Sequence, residues 1–458
     1  MKHLWEMTLD ELLNPQGHAC SCGRVHRCGL KMLRVGKGAV DALPEALAAT
    51  QVQRPFVVAD AHTYQAAGQK VEEVLQAAGI PYILYRLPGD KRIEPDEWAM
   101  GSLAMGFDPR CDGVLAVGSG VINDCCKVLA HACGLPSLVV CTAPSMDGYA
   151  SNSSSMVVRR VKESLYNACP QAILADTDVL KTAPEVMLQA GLGDMLAKYV
   201  SVCEWRISHL VAGDAYCEEI AGLVRASLRK IVEHAEGLMC REDAALEAVI
   251  EGLVLSGVAM AFAEISRPAS GLEHYFSHMW EMKALREGTA GDLHGIQVGV
   301  GTLLTLWIYE HLLNFDTVDR AKAERAMAAF DPVAWEAQCR QIFGPIAPQI
   351  IALEAKAHKN DPQRHGERLD KLCAYWPQIR QIIAEELPPR EKIYALMQHA
   401  GMPLSPRDLG LTGADTAQAL VGSRDIRDKY LTSSMLWDLG LLEQAAKELQ
   451  TMVDAGRL

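Results

Sequence analysis

The sequence predicts an α/β fold for the first part of the chain and an all-helical fold for the rest. From about residue 30 to 180, short β-rich runs alternate with helical segments, which is the pattern of βαβ units around a mainly parallel sheet. After "DTDVLKTAPEVM" the β-rich runs stop, and segments with helical periodicity continue to residue 458. We therefore expect a Rossmann-like α/β domain over residues 1–181 and an all-α domain over residues 182–458.

Six strands and three helices are expected in the α/β part. The strands are runs of β-branched and aromatic residues bounded by turn residues: "LKMLRVG", "RPFVVAD", "PYILYRL", "DGVLAVGS", "PSLVVCT" and "AILAD". The helices between them show helical spacing of apolar residues: "VDALPEALAAT", "TYQAAGQKVEEVLQAAG" and "INDCCKVLAHACG". The segment "SSSMVVRRVKESLY" predicts a hairpin before the last strand.

The overall charge favours a small-molecule partner. A formal net charge of −13 argues against binding to nucleic acid or to an anionic membrane surface, because both require clustered Lys and Arg. Apolar stretches such as "VGVGTLLTLWIY" are shorter than the roughly 18 residues that cross a bilayer. The N-terminus carries acids and lacks the features of a signal peptide. We therefore expect a cytoplasmic protein with no membrane span.

Most of the fourteen cysteines are scattered through apolar segments, which is typical of reduced thiols. The exception is "ACSCGRVHRCG", which brings Cys20, Cys22, His26 and Cys28 close together in the chain. Three thiols and an imidazole are suitable zinc ligands, although the spacing matches no standard zinc finger. A hairpin turn at Gly23 would also bring these residues together without a metal. Both interpretations remain open.

A glycine turn marks a candidate phosphate site. In "DGVLAVGSGVINDCCK", Gly118 and Gly120 lie where a predicted strand meets a predicted helix, whose first amides can bind a pyrophosphate. The pattern lacks the third glycine of the Rossmann fingerprint, so a plain tight turn is the alternative. Asp60 ends another predicted strand. It can accept hydrogen bonds from an adenosine ribose, or it can simply cap the next helix.

Three helical segments carry possible metal ligands. Asp194 is expected in the first turn of a helix, His274 and His278 lie on one helix face at positions i and i+4, and His294 precedes a glycine. One carboxylate and two imidazoles can bind a catalytic divalent ion. Each histidine can equally be a packed or solvated residue. His278 competes with His294 as a ligand, and its other possible role is proton relay.

Five ordered motifs resemble those of the iron-containing alcohol dehydrogenase and dehydroquinate synthase superfamily, and within it the sn-glycerol-1-phosphate dehydrogenases. The motifs are "GSGVINDCCK", "TAPSMDGYAS", "GLGDMLAKY", "LEHYFSH" and "LHGIQVGVG". The resemblance covers roughly residues 30 to 310 and returns at "SRDIRDKYLTSSMLWDLGLL" (423–442). The superfamily usually has a third consecutive glycine at the position of Ser119, whose backbone amide can still donate.

The resemblance implies a role for each matching residue. It places the metal ligands at Asp194, His274 and His294, the substrate-facing acid at Asp147, and a proton-passing or orienting function at Asp147 or His278. Ser151 and Lys198 are expected as further substrate contacts. The resemblance places the cofactor-binding motif at Gly118, Ser119, Gly120, Asp124 and Lys127, and we expect Asp60, Thr142 and Ser145 to bind the cofactor as well.

The resemblance also implies the reaction, which is metal-dependent hydride transfer between NAD or NADP and the central carbon of a three-carbon phosphorylated substrate. NAD is favoured because Asp60 would repel a ribose 2′-phosphate. The ion is expected to be zinc or nickel, and the protein a homo-oligomer, dimer or larger. The alternatives are a polyol dehydrogenase acting on unphosphorylated glycerol, a dehydroquinate synthase-type cyclase, which usually has Glu in place of Asp194, and a non-catalytic nucleotide-binding scaffold.

Binding of a phosphorylated substrate requires cationic donors. The candidates are Lys198, expected one turn past Asp194 on the same helix face, and the late cluster Arg424, Arg427 and Lys429. The alternatives are that Lys198 is a solvated helix residue, and that the late cluster is a surface face with i, i+4 ion pairs.

Overall fold

The computed structural model describes residues 2–89, 92–159 and 161–458. Strands occur only before residue 177 in the described part of the chain. In order they are β1 (His18–Ala19), β2 (Val25–His26), β3 (Met32–Gly36), β4 (Pro55–Ala59), β5 (Ile83–Arg86), β6 (Gly113–Gly118), β7 (Ser137–Cys141), β8 (Ser153–Val158), β9 (Val161–Tyr166) and β10 (Ala172–Asp176).

Six of these strands form one parallel sheet in the order β3-β10-β7-β6-β4-β5. All six predicted runs are confirmed as its strands. β4, β6, β7 and β10 are buried along their whole length, which explains why they are continuous apolar runs instead of alternating ones. The predicted hairpin is confirmed as the antiparallel pair β8–β9, and β1–β2 form a second small hairpin.

The helices up to residue 196 include the three expected between the strands. They are α1 (Leu9–Leu12), α2 (Leu43–Thr50), α3 (Ala61–Thr63), α4 (Gln69–Ala77), α5 (Glu97–Gly106), α6 (Gly120–Cys133), α7 (Thr177–Leu180) and α8 (Glu185–Leu196).

The rest of the described chain is helical, as predicted. Its α-helices are α9 (Lys198–Ala212), α10 (Glu218–Leu238), α11 (Asp243–Ala263), α12 (Leu272–Glu287), α13 (His294–Leu312), α14 (Arg320–Ala328), α15 (Pro332–Phe343), α16 (Ala347–Ala357), α17 (Pro362–Glu386), α18 (Arg390–His399), α19 (Gly413–Ser423), α20 (Thr432–Asp438) and α21 (Leu442–Asp454).

The chain divides into two compact units, each made of separate stretches of sequence. The first contains residues 1–195 and 217–269, and the second contains residues 196–216 and 270–458. The first unit therefore holds the sheet and also α10 and α11, which follow the last strand. Its sheet core includes Leu43, Leu47, Val71 and Leu75, through which α2 and α4 cover the strands. The second unit has its own core, rich in aromatic residues such as Trp280, Trp307 and Trp376.

Helix α11 is more apolar than any segment singled out from the sequence. It has 21 residues, and an 18-residue window within it has a mean hydropathy of 1.8, so by length and composition alone it is apolar enough to cross a membrane. However, 72% of that window is buried. Its Gly252 lies against Ile231 of α10, where a Cβ would come within 2.3 Å of the Ile231 side chain. Such packing is typical of the core helix of a folded protein, and the composition is weak evidence for a membrane span.

Candidate active site

In the first unit, the predicted cofactor residues lie at the carboxyl edge of the sheet. β4 leads to β5 on one side, whereas the neighbouring β6 leads to β7 on the other. Open α/β sheets bind ligands where the strand connections diverge in this way. Val58 of β4 pairs with Ala116 of β6, and the same register places Asp60 level with Gly118. The acid and the glycine turn are thus neighbours at this edge.

The glycine turn is tight because of packing against its own helix. β6 ends at Gly118 and α6 begins at Gly120, as predicted. A Cβ on Gly118 would lie 2.6 Å from Cβ of Ile122, and one on Gly120 would lie 3.4 Å from Cγ of Met146. The first amides of α6 have no acceptor within the helix. The tight glycine turn and the first amides of α6 are both compatible with a phosphate bound at the start of α6.

Asp60 caps the helix that follows β4. Its Oδ1 accepts the backbone N–H of Thr63 at 2.7 Å, and the Thr63 hydroxyl accepts the Asp60 N–H at 2.9 Å. Asp60 is therefore a helix cap, which is one of its two predicted roles. It uses one carboxylate oxygen, and Oδ2 has no hydrogen-bond partner within residues 2–89, 92–159 and 161–458. A cap and a ribose contact are compatible at this residue.

Lys127 fastens the loop that follows β7. Its ammonium group is buried and donates to the carbonyl oxygen of Gly148 at 3.1 Å and to the Ser151 hydroxyl at 3.0 Å. It also forms an ion pair with Asp124 at 3.1 Å, and Asp124 accepts the N–H of Ser155 at 3.0 Å. These contacts fix the backbone of "TAPSMDGYAS". We therefore describe Asp124, Lys127 and Ser151 as residues that position this loop.

The beginning of the same loop is tied to the glycine turn. The backbone N–H of Thr142 donates to the carbonyl oxygen of Gly118 at 3.1 Å, and the buried Tyr149 hydroxyl donates to the carbonyl oxygen of Ala143 at 2.6 Å. The Ser145 N–H donates to the same carbonyl at 3.1 Å. Thr142 is thus bonded directly to the glycine turn, whereas Ser145 is bonded within the loop that follows.

The two predicted acids of the first unit are joined by a hydrogen bond. The backbone N–H of Asp147 donates to Oδ2 of Asp194 at 2.9 Å, and the Ser256 hydroxyl donates to Oδ2 of Asp147 at 3.0 Å. Asp194 is fully buried. Ser256 was not predicted, and no sequence signal distinguishes it from other helix serines.

The expected position of Asp194 in its helix is wrong, because it lies in the last turn of α8 and not in the first turn of a helix. Gly191 and Gly193 suggested that the helix began after them. Instead, Gly191 is inside the helix because a Cβ there would lie 1.8 Å from the carbonyl oxygen of Pro144. The missing side chain lets α8 pack against the chain just before Asp147.

In the second unit, α12 and α13 bring the three predicted histidines together. The ring centroids of His274 and His294 are 5.2 Å apart, and those of His278 and His294 are 5.7 Å apart. His274 and His278 share a face of α12, as predicted, and His294 is the first residue of α13. A second possible ligand set also lies here, because nitrogens of His278 and His294 and an oxygen of Glu281 all fall within 4.8 Å of one another. The geometry of this unit alone thus leaves His278 as a competitor.

Acids and a hydroxyl orient the rings through Nδ1. His274 Nδ1 lies 2.8 Å from Oε1 of the buried Glu273, and His294 Nδ1 lies 3.0 Å from the Ser277 hydroxyl. His294 Nδ1 also lies 3.3 Å from Oε1 of Glu281. If Nδ1 donates to these oxygens, the ring lone pair is on Nε2, the tautomer that a metal ligand needs. Glu273, Ser277 and Glu281 were not predicted as site residues. Ser277 and Glu281 could have been, because they lie one and two helical turns from His274.

His278 is held in its neutral form. Burial lowers the pKa of His278 to about 3, against the opposing effect of its hydrogen bond to Glu281 at 3.4 Å, and the positive charge of Arg427 lowers it further. A neutral imidazole can accept a hydrogen bond or a proton from a substrate hydroxyl, but a pKa this low makes it a weak base.

Both alternative interpretations of the cationic residues are wrong. Lys198 is fully buried at the start of α9, so it is not a solvated helix residue. It also does not continue the helix of Asp194, because α8 ends at Leu196. α19 ends at Ser423, so the late cluster is not a helical surface carrying i, i+4 ion pairs.

The three residues of the late cluster have different surroundings. Arg424 is buried, pairs with Asp425 at 2.9 Å and Asn360 at 2.6 Å, and lies 3.9 Å above the ring centroid of Trp437. Arg427 and Lys429 instead face α12. Arg427 acts electrostatically on His278, and Lys429 Nζ lies 5.9 Å from the ring centroid of Tyr275, beside His274. Arg427 and Lys429 thus place positive charge near the histidine segment, whereas Arg424 belongs to the core.

Comparison with known proteins identifies the family. Residues 34–184 match the sequence profile of the iron-containing alcohol dehydrogenases. A glycerol-1-phosphate dehydrogenase [NAD(P)+] of Halalkalibacterium halodurans is 30% identical over 90% of this chain and 93% of its own. The chain belongs to the glycerol-1-phosphate dehydrogenase family. Another member, from Bacillus licheniformis, is 32% identical over 73% of this chain and 86% of its own.

Solved structures agree with this family at the level of the fold. Glycerol dehydrogenase from Schizosaccharomyces pombe superposes with a TM-score of 0.59 at 16% identity, covering 92% of this chain and 91% of that one. An archaeal alcohol dehydrogenase from a Red Sea brine pool gives a TM-score of 0.59 at 13% identity, covering 92% and 98%. The predicted fold class, a parallel α/β part followed by a helical part, is therefore that of the iron-containing alcohol dehydrogenases.

Proposed function

We propose that the chain interconverts sn-glycerol 1-phosphate and dihydroxyacetone phosphate by hydride transfer to and from NAD(P), with one divalent metal ion in the active site. The observation that carries this proposal is similarity over nearly the whole length of proteins named for the activity. The α/β part of the chain is assigned to the nucleotide, and the helical part to metal and substrate. We place the protein in the cytoplasm and expect a homo-oligomer.

We assign the metal to Asp194, His274 and His294, and the zinc or nickel expected from the sequence suits these ligands equally. Support comes from each unit separately. In the first, Asp194 is buried and held by the Asp147 amide. In the second, Glu273 and Ser277 orient the two imidazoles through Nδ1, as residues behind metal-binding histidines commonly do. When bound, the ion supplies Lewis-acid polarisation of the oxygen on the reacting carbon.

We assign the cofactor to the carboxyl edge of the sheet. The pyrophosphate would lie against the amides at Gly118, Ser119 and Gly120, where α6 provides the positive end of its dipole. Oδ2 of Asp60 would accept a hydrogen bond from the adenosine ribose. Thr142 is hydrogen-bonded to the same turn, and Ser145, from the loop that follows it, is assigned to the cofactor with it.

The remaining residues are assigned to substrate positioning and proton transfer. Asp147, fixed by Ser256, would orient a substrate hydroxyl, and the neutral ring of His278 would accept or return the proton of the reacting hydroxyl. Arg427, Lys429 and Lys198 are assigned to the phosphate, because a dianion needs charge-assisted donors.

Metal removal tests the proposal directly. Protein treated with a chelator and then desalted should lose its ability to oxidise NADH in the presence of dihydroxyacetone phosphate. Added Zn²⁺ or Ni²⁺ should restore the rate, followed as absorbance of the reduced cofactor. Mg²⁺, which prefers an all-oxygen octahedral site, serves as the control ion and should not restore it. Full activity in metal-free protein would contradict the metal-dependent mechanism.

Replacing Asp60 by serine should narrow the preference for NAD over NADP. Serine can still cap α3, but it removes the negative charge that repels a 2′-phosphate. The measurement is kcat/KM for NAD divided by kcat/KM for NADP. This ratio should decrease toward one, by about tenfold. An unchanged ratio, with unchanged thermal stability, would mean that Asp60 acts only as a helix cap.

A further inference from the structure

Three cysteines and one histidine meet at the N-terminal hairpin of the first unit. Cys20 and Cys22 lie in the turn between β1 and β2, His26 ends β2, and Cys217 directly precedes α10. Their Sγ and ring nitrogen atoms all lie within 4.8 Å of one another. We call Cys20, Cys22, His26 and Cys217 the Cys₃His cluster. Cys28, which the sequence suggested as the fourth member, is not in it: its Sγ contacts the carbonyl oxygen of Leu30 at 4.0 Å.

The distances within the Cys₃His cluster match those between ligands around one tetrahedral ion. Cys20 Sγ lies 3.5 Å from Cys217 Sγ, and His26 Nε2 lies 3.4 Å from the Sγ atoms of both Cys22 and Cys217. Zn–S and Zn–N bonds of about 2.3 and 2.0 Å at tetrahedral angles separate two sulfurs by about 3.8 Å, and sulfur from nitrogen by about 3.5 Å. Three of the six distances are thus already close to the required spacing, and all six are within 4.8 Å.

His26 is oriented as a metal ligand. Its Nδ1 lies 3.0 Å from the carbonyl oxygen of Phe262, which can only accept a hydrogen bond. Nδ1 therefore carries the hydrogen, and the lone pair is on Nε2, which faces the sulfurs. The ring is buried. The carbonyl contact is the kind of interaction that fixes metal-binding histidines.

We propose that the Cys₃His cluster binds one structural zinc ion. Four protein ligands leave no open position for substrate, which is the arrangement of structural and not of catalytic zinc. Three thiolates carry more negative charge than one Zn²⁺ ion neutralises. The positive charge of Arg24, which is close enough to act on His26, offsets part of this excess. Binding would release the thiol protons to solvent. This proposal goes beyond the dehydrogenase function and does not depend on it.

The ion would tie the N-terminal segment to α10. Cys20 and Cys217 are 197 residues apart in the chain. Nearby, the Leu4 N–H donates to Glu219 at 3.0 Å, and Trp5 packs on Gly222, where a Cβ would lie 2.1 Å from the indole ring. Zinc would add a second attachment at the start of the same helix. Because a crosslink between distant residues restricts the unfolded chain, we expect the ion to raise thermal stability.

X-ray absorption at the zinc edge distinguishes this site from the active site, whose proposed ligands contain no sulfur. The purified full chain, reconstituted with Zn²⁺ and desalted, should show a sulfur shell near 2.3 Å. Co²⁺ reconstitution should give thiolate-to-cobalt charge-transfer absorption. Absence of sulfur scattering in the unmodified protein, or thiol titration revealing a Cys20–Cys217 disulfide after purification without reductant, would overturn the proposal.

Paired variants identify the ligands. Cys22→Ser and Cys240→Ser each change an exposed cysteine, and only the first should weaken the cobalt–thiolate absorption, because one of three thiolates is removed and metal affinity falls ~100-fold or more. Cys217→Ser should behave as Cys22→Ser does, whereas Cys28→Ser should keep the absorption. Because Cys22 is exposed, its replacement leaves the core packing intact, and an undiminished absorption with unchanged metal affinity in folded Cys22→Ser would overturn the assignment.

Discussion

Replacing His274 or His294 by alanine is expected to remove the catalytic metal and to lower kcat/KM for glycerol 1-phosphate on the order of 1,000-fold. The reason is that a methyl group cannot bind the ion, and Lewis-acid polarisation contributes several kcal/mol to the transition state. Asp194→Asn should have a similar effect while still accepting the Asp147 N–H, so its fold should be preserved. The measurements are metal content per chain and steady-state kinetics on the same preparations.

Matched controls separate ligand loss from general damage. His311→Ala changes an exposed histidine at the far end of α13 and should keep full metal content and activity. Glu273→Gln keeps the size of the side chain behind His274 and should lower activity by about 10- to 100-fold. His278→Ala should keep most of its metal while losing activity. Loss of metal in His278→Ala together with its retention in His294→Ala would show that the assignment of His294 is wrong.

Arg427→Met and Lys429→Met are expected to lower kcat/KM for the phosphorylated substrate by about 10- to 100-fold each. A charge-assisted contact to phosphate contributes about 1.5 to 3 kcal/mol. Activity on free glycerol should change much less, because the metal and cofactor sites are untouched. The measurement is the change in kcat/KM for each substrate.

Two other arginines of the same unit serve as controls, which test whether the loss of activity comes from a lost phosphate contact. Arg340→Met removes an exposed arginine paired with Glu336 and should leave both substrates unaffected. Arg424→Met should lower the melting temperature instead, since Arg424 is buried against Asp425, Asn360 and Trp437. Equal losses for glycerol and for glycerol 1-phosphate in Arg427→Met would contradict a phosphate contact.

The sheet could be predicted from the sequence because its signal is local. Each central strand is a short apolar run buried on both faces and bounded by turn residues, so burial and turn chemistry both appear within about eight residues. The helix containing Asp194 was misplaced for the opposite reason. Gly191 opposes a helix locally, yet its backbone must pass the Pro144 carbonyl, and that contact is visible only in the folded chain.

The candidate sites show the same division. The spacing of His274 and His278 on α12 follows from helical geometry, and Ser277 and Glu281 could have been found from the same spacing. Cys217 could not, because it is 191 residues from His26 and no periodic pattern connects them. Likewise, charge alone could not separate Arg424 from Arg427 and Lys429, because burial distinguishes them.

The ratio of kcat/KM for glycerol 1-phosphate to kcat/KM for glycerol, measured on one metal-replete preparation with NAD, tests the central claim most directly. Two phosphate contacts worth about 1.5 to 3 kcal/mol each predict a ratio of at least ~100. The same preference should hold in the reverse direction for dihydroxyacetone phosphate over dihydroxyacetone. A ratio near one or below it would contradict the proposed substrate and would instead indicate a dehydrogenase of unphosphorylated polyols.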